Sequence, residues 1–140
     1  MPRTHLLDTS VYSQPVRRSI SPAIAARLES LPEEDAAVSS ICEAELLFGL
    51  RKHGSPQMRD RFDAILRGRY PVIPVDEEVA ATYADLRGDC EDSGITVQDM
   101  DLLIAATAKT HGLIVATLNT KHFSKIPGLS IEDWSQPATP

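Results

Sequence analysis

Short apolar runs and longer mixed stretches take turns along this chain. Residues 3–7 hold Leu6-Leu7 and read as a short buried strand that closes on Asp8, with Thr9 and Ser10 behind it as candidate helix caps. Ser21-Pro22-Ala23 places a cap residue before a proline at the first helical position, which predicts a helix to about Ser30 that Pro32 stops. Ala36-Ala37-Val38-Ser39 reads as a second buried strand. Ser40 and Glu43 have capping-box spacing for the next helix, which ends near His53-Gly54. Ser55-Pro56 starts another, over by Gly68, and Pro71-Val72-Ile73-Pro74-Val75 is strand-like. Asp76 caps a long helix to about Asp92, with Gly94 at its end. Residues 98–111 leave little polar face, so that helix should be largely buried, with His111-Gly112 as its stop. Leu113-Ile114-Val115-Ala116 and Leu129-Ser130-Ile131 complete the strands, and residues 136–140 are expected to fray.

Short apolar strands alternating with helices imply a parallel sheet covered on both faces. The expected fold class is α/β, a three-layer α/β/α sandwich with four or five short strands, formed by one domain over residues 1–135. In such sheets ligands gather at the carboxyl ends of the strands.

That expectation directs attention to the carboxylates. Asp8 follows the first strand, Glu45 lies in the second turn of the helix after Ser39-Ser40, and Asp101 lies in the first turns of the helix at 98–111. Each abuts an apolar segment, where an unpaired charge is costly. If the fold brings the three together, a hard divalent cation such as Mg²⁺ or Mn²⁺ is the usual way to offset their repulsion. A site of that kind serves phosphoryl chemistry on nucleotides or nucleic acids. Taken singly, Asp8 reads as a helix cap, Glu45 as a solvated helix residue and Asp101 as an acid favoured by the helix dipole. His5, His53, His111 and His122 show no spacing that suggests zinc or a catalytic triad.

Composition changes the picture in two respects. A length of 140 residues with 42% hydrophobic and 24% charged positions suits a single core. No segment is long and apolar enough to span a bilayer and no signal-peptide plan is visible, so a cytoplasmic protein without membrane contact is expected. Cys42 and Cys90 lack metal-type spacing and are expected as reduced thiols. The net charge of −6 argues against a generic nucleic-acid binder. Its distribution says more. Arg51, Lys52, Arg59, Arg61, Arg67 and Arg69 face only Asp60 and Asp63, whereas residues 76–101 are almost wholly acidic, with Arg87 the lone base. A basic stretch beside an acidic pocket suits a metal site that must also hold a polyanion, although a solvated helix face explains the same charges. Arg51 and Lys52, near the Glu45 helix, are the candidate phosphate contacts.

Four segments in order carry a family resemblance: Leu7-Asp8-Thr9-Ser10; Ser39-Ser40 with Glu45-Leu46 and Gly49; Asp101-Leu102-Leu103-Ile104-Ala105-Ala106; and Thr117-Leu118-Asn119 with Phe123. Together they resemble the PIN-domain proteins, and more narrowly the VapC toxins of bacterial toxin–antitoxin pairs, from Leu6 to Trp134. The resemblance implies a Mg²⁺- or Mn²⁺-dependent endoribonuclease that arrests growth by RNA cleavage, with Asp8, Glu45 and Asp101 as catalytic and metal-binding acids. Thr9 would support the site, and Asp99 would add negative charge near Asp101. A fourth family position, often acidic, falls around Asn119, with His122 nearby; neither is a carboxylate, so a second tightly held metal is in doubt. The implied partners are an RNA substrate, a VapB-type antitoxin and a second copy of the chain. For the dimer, Leu31, Leu46, Leu47, Phe48 and Leu50 are read as more apolar surface than one core face needs. The rival readings are a non-catalytic PIN-like scaffold and an RNA-processing nuclease without an antitoxin. A P-loop enzyme is excluded by the lack of its glycine-rich lysine motif, and a haloacid-dehalogenase-type phosphatase by Ser10 where a second Asp is required.

Overall fold

The computed structural model describes residues 3–138. Five parallel strands form one sheet in the order β3-β2-β1-β4-β5: β1 (His5–Leu7), β2 (Ala36–Ser39), β3 (Val72–Ile73), β4 (Ile114–Thr117) and β5 (Ile131–Asp133). The helices are α1 (Thr9–Tyr12), α2 (Pro22–Ser30), α3 (Ser40–His53), α4 (Pro56–Arg61), α5 (Glu77–Asp92), α6 (Asp99–His111) and α7 (Thr120–Phe123). β2 is buried at all four positions and β4 at three of its four, which requires cover on both sheet faces. Leu6, Val38, Val115, Ile104 and Ala105 lie at the centre of the core.

The strand order reverses between β1 and β4. Chain order runs outward from β1 through β2 to β3, then returns to the other side of β1 for β4 and β5. Loops leaving β1 and β4 therefore diverge and open a crevice at their carboxyl ends. Leu7 pairs with Ala116 in the register, and the Asp8 N–H donates to the Ala116 carbonyl at 3.0 Å. Asp8 and the Thr117–Asn119 segment thus stand side by side at that crevice.

Several boundaries differ from the sequence expectation, each for a local reason. Ser39, not Ser40, caps α3: its Oγ accepts from the Cys42 N–H at 3.1 Å, which leaves Ser40 inside the helix. Thr9 and Ser10 lie within α1, and Asp8 occupies its cap position without making a side-chain cap bond. The helix begun at Pro56 gives way at Phe62–Leu66 to a wider turn, closed by Arg67 N–H to the Phe62 carbonyl at 2.8 Å. β3 shrinks to two residues between Pro71 and Pro74, which lack the N–H a ladder needs. The last strand runs over Ile131–Asp133, two residues later than expected, where Val115 and Thr117 of β4 find their partners. Gln136 is pinned: its carbonyl accepts from Arg27 Nε at 2.9 Å. Residues 139 and 140 of the expected frayed tail lie outside the described residues. Of the five residues read as surplus apolar surface, Leu46 and Leu50 are core and Leu31 is half-buried. Leu47 and Phe48 alone are open, at 45% and 61% exposure. The 3.6-residue helical period sends 46 and 50 inward and 47 and 48 outward.

Candidate active site

Asp8 is the most enclosed carboxylate of the three, 4% exposed. A buried charge needs donors, and two hydroxyls supply them. Ser10 Oγ and Thr117 Oγ1 each donate to Asp8 Oδ2 at 2.8 Å. Those hydroxyls are fixed in turn, because Leu118 N–H donates to Ser10 Oγ at 3.0 Å and Asn119 N–H to Thr117 Oγ1 at 2.9 Å. The loop after β4 is thereby tied to the loop after β1 through the Asp8 carboxylate. Both bonds fall on Oδ2, so Oδ1 has no protein partner among the described residues and remains open to solvent.

Glu45 reaches the same end of the sheet from the second turn of α3. Its Oε1 accepts from Thr9 Oγ1 at 2.6 Å, and Thr9 is the residue after Asp8. Oε2 has no hydrogen-bond partner among the described residues. Asp101 enters from the first turn of α6, and its Oδ2 lies 3.2 Å from His122 Nδ1 on α7. Burial raises the Asp101 carboxyl above its ordinary value; His122 works against that rise and the charge of Asp8 adds to it. Beneath the cluster sits Cys42, whose thiol burial pushes up to about 12; hydrogen bonds with Ser39 and Thr9 oppose the shift, and the charges of Asp8 and Glu45 reinforce it. At neutral pH it stays a thiol, as does buried Cys90, and neither is in a disulfide.

The three acids come from three elements toward the carboxyl end of the sheet, Glu45 tied to Thr9 beside Asp8 and Asp101 within reach of the Asp8 charge, each with one oxygen held by a neighbour and one left over. Among the described residues, no group of three or more His, Cys, Asp or Glu side chains stands close enough together to hold a metal ion. The donor set itself, carboxylate oxygens without cationic partners other than His122, has the chemistry a hard divalent cation takes.

Asn119 is exposed and acts through its backbone N–H, supporting Thr117. Asp99 points to α5 instead: Tyr83 Oη donates to its Oδ1 at 3.1 Å, and Arg87 Nη1 lies 3.5 Å from the same oxygen. Arg51 and Lys52 are exposed in the last turn of α3, and neither pairs with a carboxylate among the described residues. Most of the other bases of that stretch are engaged. Arg67 pairs with Asp63, Arg69 with Glu33, Arg59 with the Leu50 carbonyl and Arg61 with the Val16 carbonyl. Sequence reasoning missed Ser10 and Thr117 as holders of Asp8 and His122 as the partner of Asp101. The signal for the first two was present as hydroxyls at the carboxyl ends of the two central strands, Thr117 closing β4 and Ser10 three residues past β1. A hollow of about 510 Å³ between α2 and the C-terminal segment holds none of the three acids.

Residues 5–129 match the PIN domain family. The chain belongs to that family. Among curated relatives of this PIN domain, the toxin FitB of Neisseria gonorrhoeae is 39% identical over 126 residues, covering 84% of this chain and 89% of FitB. The tRNA(fMet)-specific endonuclease VapC of Shigella flexneri is 31% identical over 133 residues, covering 93% of this chain and 97% of its own. Among solved structures, FitAcB from Neisseria gonorrhoeae superposes with a TM-score of 0.86 at 32% identity, covering 95% of this chain and 99% of that one. DNA-bound VapBC from Salmonella typhimurium gives 0.81 at 28% identity, covering 94% and 98%. Among the described residues of this PIN domain, no helix is long and apolar enough to cross a membrane.

Proposed function

We propose that this PIN domain is the toxin of a toxin–antitoxin pair, an endoribonuclease that acts in the cytoplasm and depends on Mg²⁺ or Mn²⁺ held by Asp8, Glu45 and Asp101. The observation that carries this reading is the investment around Asp8: two hydroxyls, themselves fixed by backbone N–H groups, hold one oxygen of a buried carboxylate and leave the other free. A structural cap would use its carboxylate on the helix N-terminus, and Asp8 does not. The names of the relatives, a tRNA endonuclease and a toxin, agree with it.

The division of labour follows from the contacts. Ser10 and Thr117 fix the Asp8 plane, Thr9 fixes Glu45, and His122 keeps Asp101 in place. A divalent cation bound by the free oxygens would supply Lewis-acid activation of a phosphate and of a water. Pre-set carboxylates spare reorganisation during reaction. Asp99, committed to Tyr83 and Arg87, has no part in this scheme. Arg51 and Lys52 would meet backbone phosphates beyond the cluster. Leu47 and Phe48 would seat a second copy of the chain, and a VapB-type antitoxin would cover the acids. The scaffold alternative rests on the fourth family position, where this chain has Asn119 and no carboxylate; the three remaining acids are the ones that would hold the metal.

The test is made in cells and then in isolation. Expression of the wild type should arrest growth, co-expression of the antitoxin encoded beside it should relieve the arrest, and Asp8→Asn should be harmless at equal abundance. Growth arrest by Asp8→Asn equal to that of the wild type would remove the proposal.

A further inference from the structure

The inference concerns substrate recognition and rests on the ribonuclease reading. A hollow of about 470 Å³ opens directly beside Glu45 and Thr9. That volume suits a small organic ligand. Val16, Leu46, Leu50 and Met58 provide apolar walls, and Arg17 and Arg18 stand at the rim. Glu45, Gly49 and His53 of α3 also line it, at four-residue spacing, so Gly49 sits in the middle of the helix face that forms the floor.

Gly49 has no structural reason to be glycine. It lies inside the 14-residue helix α3 and has no positive φ. A Cβ built on it meets no atom within 4 Å. Glycine in a helix interior is less stable than alanine. The position therefore gives up stability and keeps the floor of the hollow open.

The rim is equally specific. Arg17 and Arg18 are exposed, and neither pairs with a carboxylate among the described residues of a chain whose net charge is −6. Their segment is anchored from below, since Arg61 Nε and Nη2 both donate to the Val16 carbonyl, at 3.0 and 2.8 Å. Two cations without a carboxylate partner among the described residues, Arg17 held only by Nη2 donating to Ser13 Oγ at 3.4 Å, stand over an apolar slot with a catalytic acid in one wall, and this matches an unstacked nucleotide: the base enters the slot and the flanking phosphates meet the arginines. Single-stranded RNA is read in this way, by burying splayed bases and pairing the backbone with basic side chains. We propose that this hollow is a nucleobase subsite that seats one unpaired base of the RNA strand next to the scissile phosphate, with Gly49 as its floor and Arg17 and Arg18 as its phosphate clamp.

The test uses the full chain in EDTA and a short fluorescein-labelled single-stranded RNA of mixed sequence, confirmed intact by gel. A parallel series lacks one base at each successive position. The wild type should lose roughly tenfold in affinity or more when one particular base is missing. Gly49→Leu should bind the intact strand as weakly as that and be indifferent to the missing base. Gly49→Ala should melt higher than the wild type, which separates occlusion from misfolding. Arg17→Ala/Arg18→Ala should lower the salt slope of binding by about two units. A flat series, an unaltered Gly49→Leu affinity or an unaltered salt slope would overturn the subsite. So would a Gly49→Leu variant that loses an antitoxin peptide while holding RNA as before, because the slot would then belong to a protein partner. RNA cleavage by the wild type separates the levels: cleavage with a flat series defeats the subsite alone, whereas no cleavage and no binding defeats the ribonuclease reading.

Discussion

Thr117 shows how much of the site depends on residues without charge. Its hydroxyl donates to Asp8 and accepts from Asn119 N–H, so a single oxygen links two loops. Thr117→Val keeps the shape and removes both bonds. It should cost about 1–3 kcal/mol in chemical denaturation, because Asp8 loses a buried partner, and should lower RNA cleavage by about tenfold or more if a carboxylate held in place is what the reaction requires. Asp101 makes the opposite kind of prediction. Its carboxyl is raised above the ordinary value of 3.8, chiefly by burial, so the folded state holds its proton more tightly than the unfolded chain does. The stability this provides is complete below about pH 3.8 and is lost as pH rises through the higher folded value. At neutral pH without divalent cations the ionised group is a burden, and Asp101→Asn should raise the melting temperature by a few degrees while abolishing cleavage. Thermal scans from pH 4 to 8 should show the two proteins diverging as pH rises; superposed curves would mean that the charge is well solvated. The three acids were legible in the sequence because each interrupts an apolar run. Their holders were not: the Ser10 and Thr117 hydroxyls are ordinary residues until the β1–β4 pairing sets them side by side, across 107 positions of sequence.

Elements place these residues through their ends. α3 begins where β2 stops, and Ser39 is both the last strand residue and the cap. Ser39→Ala should cost about 0.5–2 kcal/mol in thermal or urea unfolding. It should also loosen the first turns of α3 and hence Glu45, so cleavage should fall more than the stability loss alone explains. α6 ends at Gly112 with φ 66°, a left-handed stop that alanine tolerates poorly, and Gly112→Ala should cost about 1 kcal/mol without touching the chemistry. The existence of these helices was readable from the sequence, because proline, glycine and hydroxyl caps are local signals. The cap was misplaced by one residue because Ser39 and Ser40 are the same residue type, and only the strand ladder decides which one leaves the sheet. The turn at Phe62–Leu66 was hidden for a similar reason: Phe62 and Leu66, both buried, share one face of a regular helix as well, so their period does not reveal the wider winding.

At the scale of the whole molecule, the parallel order β3-β2-β1-β4-β5 does the decisive work, since it places the ends of β1 and β4 together and surrounds them with the starts of α3 and α6. Alternation of strands and helices predicted the sheet but not its order, and only the folded chain parts Asp99, expected to add charge near Asp101, from that acid two residues on. α6 turns one toward Asp8 and the other toward Tyr83 and Arg87. Charge follows the same division. Arg27, Arg67, Arg69 and Arg87 are engaged in ion pairs, while Arg51 and Lys52 have no carboxylate partner among the described residues, so Arg51→Ala/Lys52→Ala should reduce the salt slope of RNA binding by about two units at an unchanged cleavage site. An unchanged slope would assign those charges to solubility. The account stands most directly on one measurement: cleavage of a defined single-stranded RNA by the purified wild type and by Asp8→Asn, each with a Mg²⁺ titration and with EDTA, at matched melting temperature. It predicts cutting by the wild type that rises with Mg²⁺ and stops in EDTA, and no cutting by Asp8→Asn at any Mg²⁺ concentration. Wild-type cleavage that persists in EDTA, or Asp8→Asn cleaving at the wild-type rate, would contradict it.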